Sequence, residues 1–89
     1  MAEQNDFEKA QVDVKNLTKR PNNNELLELY ALYKQATAGD VSGKRPGMLK
    51  IADRAKFDAW TTKKGTSADQ AVESYVEVVS SLISSYGLN

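Results

Sequence analysis

Two phenols and an ammonium, Tyr30, Tyr33 and Lys34, stand three and four positions apart, the spacings that bring side chains together on one face of a helix. On a wheel with Leu26 at zero, Tyr30 falls at about 40°, Lys34 at about 80° and Leu27 at about 100°. A cation therefore lies inside an aromatic and apolar arc. Such a surface suits a ligand that joins a flat ring or an alkyl body to an anion. Each residue taken alone has a plainer role. Rings on an apolar helix face usually pack in a core, and a lysine beside them usually lays its stem along the surface and lifts its ammonium into water. Lys56 is four residues before Trp60, so the simplest expectation is an amine resting over that indole. Tyr75 falls in an apolar stripe, and Lys15 borders another.

Other chemistry is excluded by composition. The 89 residues contain no Cys and no His, which removes disulfides, thiolate and imidazole metal sites, Cys nucleophiles and His-dependent triads. Carboxylates such as Asp58 or Glu73 remain, but no supporting base, oxyanion hole or metal site can be assembled around them, so an enzyme is not expected. Twelve basic and twelve acidic residues cancel to a formal charge of zero. That argues against a broad electrostatic footprint on nucleic acid or on an anionic membrane. The N-terminal stretch Met1-Ala2-Glu3-Gln4-Asn5-Asp6 is polar and acidic, and no apolar run is long enough to span a bilayer. The expectation is a cytoplasmic protein, a monomer on composition.

These residues must be positioned by helices. Phe7, Ala10, Val14 and Leu17 recur at spacings of three and four, after Asn5 with Glu8 three residues on, which predicts a capped first helix over about 6–17. Asn22 and Glu25 repeat that start signal, and Leu26, Leu29, Tyr30, Tyr33, Ala36 and Thr37 mark the expected buried side of a second helix stopped by Gly39. Residues 40–52 show little periodicity; a structureless connection of that length usually serves a purpose. Asp53 is the expected cap of a shorter third helix carrying Phe57 and Trp60 and ended by Gly65. Ser67 and Gln70 open a fourth, with Ala71, Val72, Tyr75, Val76, Val79, Leu82, Ile83 and Tyr86 as its stripe up to Gly87. The prediction is an all-α four-helix bundle forming one domain over 1–89, with the long connection letting the second and third helices run parallel. Phe7, Val14, Leu17, Trp60, Val76, Val79 and Leu82 are the expected core. Gly39, Pro46, Gly47 and Gly65 are expected to shape the chain rather than touch a ligand.

The ordered set Tyr30-x-x-Tyr33-Lys34-Gln35-Ala36-Thr37, Gly39-Asp40, Arg45-Pro46-Gly47-Met48-Leu49, Ala55-Lys56-Phe57-Asp58-Ala59-Trp60, Lys64-Gly65-Thr66-Ser67, Ala71 and Tyr75 resembles the acyl-CoA-binding protein family over about residues 5–87. The resemblance implies an up-down-down-up bundle that binds medium- to long-chain fatty-acyl-CoA without altering it, for sequestration and transport, with no cofactor. It further implies that Tyr30, Lys34 and Lys56 meet the adenine and the ribose 3′-phosphate, that Tyr33 and Tyr75 line the site with Lys15 on its rim, and that Leu27 touches the acyl chain. Partners would be the ligand and, transiently, acyl-CoA-using enzymes or membranes, without stable insertion and without nucleic acid. The chain departs from the common pattern at Phe57, where a Trp is usual, and at Ile51-Ala52-Asp53, in place of a Phe-x-Gly stretch; both bear on loop packing and chain-length preference. The competing function is a helical protein-interaction module whose tyrosines dock a partner helix.

Overall fold

The computed structural model describes residues 4–89 and holds four helices, α1 (Gln4–Lys15), α2 (Asn23–Ala38), α3 (Ile51–Thr61) and α4 (Ala68–Tyr86). Among the described residues no sheet forms; Leu17 and Leu88 make an isolated antiparallel bridge. The start of α2 follows from its sequence. Asn22 Oδ1 accepts from the Glu25 amide at 2.8 Å while Glu25 Oε1 accepts from the Asn22 amide at 2.9 Å, closing a capping box. Ser67 Oγ accepts from the Gln70 amide at 3.1 Å at the start of α4. Gly39, with φ of 83°, ends α2 in a conformation that a Cβ disfavours.

Other expected ends lie elsewhere. Asn5 is already helical, so it is not the cap of α1, and residues 1–3 of the acidic N-terminal stretch lie outside the described residues. Leu17 has left the helix, which stops at Lys15, and enters the bridge to Leu88. The cap position of α3 belongs to Lys50, which makes no side-chain bond there; Asp53 sits in the first turn instead, where its carboxylate favours the positive end of the helix. α3 closes at Thr61, four residues before Gly65: the Thr61 and Thr62 hydroxyls donate to the Phe57 and Ala59 carbonyls of its last turns, and the chain then passes into successive turns.

Side-chain contacts fix the topology. Phe7 meets Tyr75 edge-on, ring centroids 5.1 Å apart, near the start of α1 and α4, and the Leu17–Leu88 bridge lies beyond their ends, so the two run parallel. Tyr86 Oη donates to Glu25 Oε1 at 2.7 Å and Gln35 Nε2 to the Thr66 carbonyl at 2.8 Å, which sets α2 antiparallel to α4. Along α3, Lys56 meets Tyr30 and Trp60 meets Gly39, so α2 and α3 run parallel. The order is up-down-down-up.

Phe7, Ala10 and Leu17, Leu29 and Leu32 of α2, and Tyr75, Val79 and Leu82 of α4 form the buried cluster, with Val14 and Val76 packed against it. α3 buries no residue, because it packs on α2 alone at one side of a body 15 Å thin. Trp60 is consequently half-buried and outside the core, contrary to expectation. The buried line of α2 is Leu29, Ala31, Leu32 and Gln35 rather than Tyr33 and Thr37, both exposed. Sandwiched between α4 and α3, α2 turns that line into the bundle and leaves its tyrosine edge facing outward.

Candidate functional site

Three adjoining hollows share Tyr30. The first, about 610 Å³, lies between the end of α1 and α2 and is walled by Leu26, Leu29, Tyr30, Tyr33 and Tyr75, with Lys15, Lys19 and Arg20 around it. The second, about 400 Å³, lies between α2 and the chain leading into α3 and is lined by Tyr30, Pro46, Phe57 and Trp60 together with Lys44, Lys50 and Lys56. The third, about 560 Å³, runs between the first halves of α2 and α3, over Leu26, Leu27, Tyr30, Ile51, Ala52 and Ala55, and is bordered by Arg20 and Lys56. One aromatic residue thus joins two cation-rimmed basins to an apolar trough.

The parallel packing of α2 and α3 sets the cations. Lys34 Nζ lies 5.0 Å from the centroid of Trp60 and Lys56 Nζ 5.7 Å from that of Tyr30. Each ammonium rests over a ring of the opposite helix, so the expected pairing of Lys56 with Trp60 is not formed. Both rings and Lys56 line the second hollow, whereas Lys34 touches it only through the Trp60 ring. An ammonium over a ring is held only by about 0.5–1 kcal/mol at an exposed site, and a phosphate offers a stronger, charge-assisted partner.

Polar contacts hold α3 and the long loop in place. Arg45 reaches Asp58 with two bonds, Nε to Oδ1 at 2.8 Å and Nη2 to Oδ2 at 2.7 Å. These bonds hold the Asp58 carboxyl below the usual aspartate range, so Asp58 is occupied and a poor base. The Trp60 indole donates to the Gly39 carbonyl at 2.8 Å, fixing that ring against the end of α2. Lys63 pairs with Glu28 at 2.7 Å. At the far end, Asp40 Oδ1 accepts from the Gly65 amide and from buried Gln35, both at 2.8 Å, and these bonds lower its pKa.

The predicted site residues are brought together. Tyr30 stands at the junction; Lys56 borders two hollows; Lys15, Tyr33 and Tyr75 line the first and Leu27 the third. Lys34 is the exception: it lines none of the three hollows and is linked to the second through Trp60, on whose ring its ammonium rests. Tyr33 is exposed on this face, whereas Tyr75 is nearly buried beneath it, and burial, followed by the nearby Tyr33, pushes its phenol pKa up. Tyr75 therefore presents a neutral ring.

Sequence reasoning missed Lys19, Arg20, Lys44 and Lys50, all at the hollows. It read Trp60 as core and Pro46 as a shaping residue, yet both line the second hollow. The Lys19-Arg20-Pro21 run was a usable signal, being a cation pair held by a proline just ahead of the tyrosine helix. Loop residues 44 and 50 carry no periodicity that could have pointed them anywhere.

Comparison with known proteins agrees with the four-helix fold. The family model described as "Acyl CoA binding protein" matches residues 4–79. An acyl-CoA-binding protein homolog of Manduca sexta is 49% identical over 89 residues, covering 99% of each chain. Among solved structures, the crystal structure of Oryza sativa Acyl-CoA-Binding Protein 2 aligns with a TM-score of 0.87 at 39% identity, over 92% of this chain and 91% of that one. The solution structure of the acyl coenzyme A binding protein from yeast aligns at 0.72 and 44% identity, over 97% and 99%.

Proposed function

The chain belongs to the acyl-CoA-binding protein family, and from that premise we propose that it is a single-domain, non-catalytic carrier that sequesters medium- to long-chain fatty-acyl-CoA in the cytoplasm and delivers it, as a monomer, to the enzymes that use it. The observation that carries this reading is the pair of ammoniums, Lys34 and Lys56, poised over two rings of one hollow that meets an apolar trough at Tyr30. In this reading Tyr30 stacks on the adenine, and Lys34 and Lys56 exchange their weak ring contacts for bonds to the 3′-phosphate. Lys15, with Lys19 and Arg20, supplies positive charge at the first hollow, where Tyr33 and Tyr75 give apolar walls. The acyl chain lies along Leu27 and its neighbours in the trough.

The two halves of the ligand can be compared by size. Each lysine–phosphate bond contributes about 1.5–3 kcal/mol. Each buried methylene contributes about 0.8 kcal/mol, so a tail of about fourteen outweighs the head when covered, less the cost of ordering it. Neither half alone should bind tightly. Isothermal titration with palmitoyl-CoA, CoA and palmitate tests this: the thioester is expected to bind far more tightly than either fragment. Similar affinities for palmitate and palmitoyl-CoA would remove the nucleotide anchor. No described helix is long and apolar enough to cross a membrane, in keeping with a carrier that does not insert stably.

A further inference from the structure

The turn that leads into α3 exposes three large apolar side chains in a row of four residues. Met48 is 81% exposed, Leu49 99% and Ile51 77%. The ordinary reason for an apolar residue just before a helix is a staple, in which it packs on the residue five positions later. Here Lys50 is the cap residue and that later position is Arg54, so the staple position offers Leu49 no apolar partner. Isolated exposed apolar residues are ordinary; three within one turn, each more than three-quarters exposed, form a patch that calls for a covering surface.

The charge around the tip indicates what covers it. Lys44, Arg45, Lys50, Arg54 and Lys56 surround it in sequence, against Asp53 as the carboxylate of the same stretch, although the chain as a whole carries no net charge. Arg45 is spent on Asp58; Lys44 and Lys50 are exposed. An apolar tip set in a collar of cations matches an anionic bilayer, in which the apolar side chains enter the headgroup boundary and the cations meet the phosphates. A second copy of the chain fits badly, because a symmetric contact would face cations with cations. A folded protein partner fits badly too, since a stable interface needs about 800 Å² from each side and this tip is a single turn.

We propose that the Met48–Ile51 turn is a docking surface for anionic lipid bilayers, its apolar tip entering the interface and Lys44, Lys50 and Arg54 contacting lipid phosphates. Ile51 also lines the apolar trough, so docking brings the mouth of that trough to the membrane. The proposal does not depend on what the trough holds, and the flotation that tests it uses the protein without acyl-CoA.

The experiment is flotation of the full chain with vesicles of phosphatidylcholine alone and of phosphatidylcholine with phosphatidylserine. Wild type should float with the anionic vesicles, weakly or not at all with the neutral ones, and less as salt is raised. The double variant Met48→Ser, Leu49→Ser should lose about tenfold or more in partitioning with an unchanged thermal midpoint, both positions being exposed. Lys50→Glu should lose severalfold and show a shallower salt dependence. Wild-type partitioning that ignores anionic lipid, or a double variant that floats like wild type, overturns the proposal. So does a double variant that keeps vesicle binding but loses palmitoyl-CoA affinity, which would assign the tip to the ligand instead.

Discussion

The α1–α4 side of the molecule and the α3 side are built by different means. Phe7, Val79 and Leu82 on one side are 3%, 1% and 5% exposed, while α3 buries nothing. Apolar packing holds α1, α4 and the inner line of α2; a bidentate ion pair, an indole bond and a lysine–glutamate contact hold α3 and its loop to α2. A body 15 Å thick has room for one packed layer. What the second side loses in burial it retains as half-covered rings and uncommitted ammoniums, the groups a ring-bearing anion needs. Stability and recognition meet along α2: Leu32 faces the core and Tyr30 the hollows, while Leu29, with Tyr75 of α4, belongs to the buried cluster and also walls the first hollow.

Substitutions on the two sides should therefore report on different quantities. The largest effect belongs to the core: Leu82→Ala, which touches none of the hollows around Tyr30, should cost about 2–5 kcal/mol in urea unfolding while the folded fraction keeps its affinity for palmitoyl-CoA. A matching loss of affinity would show that the two sides are not separable. Next is Lys56→Ala, which should weaken palmitoyl-CoA binding by about 1.5–3 kcal/mol in titration calorimetry and leave the unfolding midpoint in place. An unaltered dissociation constant would detach Lys56 from the ligand.

The smallest effect sharpens the comparison by pH. Asp58→Asn removes the exposed ion pair with Arg45, and such pairs contribute little, so the thermal midpoint should fall only slightly at neutral pH. The two bonds from Arg45 hold the folded-state pKa of Asp58 below its ordinary 3.8. The stabilisation is therefore complete above 3.8 and disappears as pH falls through the lowered value. Wild type and variant should converge in acid. A gap that persists well below pH 3.8 would mean that Asp58 acts through something other than its charge.

Local signals were legible wherever the chain decides them within one turn. The Asn22–Glu25 box formed as read, and the α4 stripe contains the buried Ala71, Tyr75, Val79 and Leu82. Asn5 and Asp53 misled because cap-forming residues are also welcome inside a first turn, so residue type alone does not fix the boundary. Tyr33 and Thr37 were placed inside because a period of 3.6 defines an arc without saying which part of it meets a neighbouring helix. Trp60 was assigned to the core for the same reason: its burial depends on how many helices flank α3, and only α2 does.

Tyr30, Lys34 and Lys56 stood out as candidate site residues from spacing and family pattern, but the rings their ammoniums meet did not. Reading within one helix pairs Lys56 with Trp60; the side-by-side packing of α2 and α3 pairs it with Tyr30 and gives Trp60 to Lys34. By itself the sequence determined four helices, the ends of α2 and α4, the absence of Cys and His chemistry and the family, because hydrogen bonds and periodic burial act between residues a few positions apart. The tertiary structure alone decided which ring carries which ammonium, that loop cations reach the hollows, and that Met48, Leu49 and Ile51 stay exposed. Those outcomes depend on distances between segments far apart in the chain, which only packing sets.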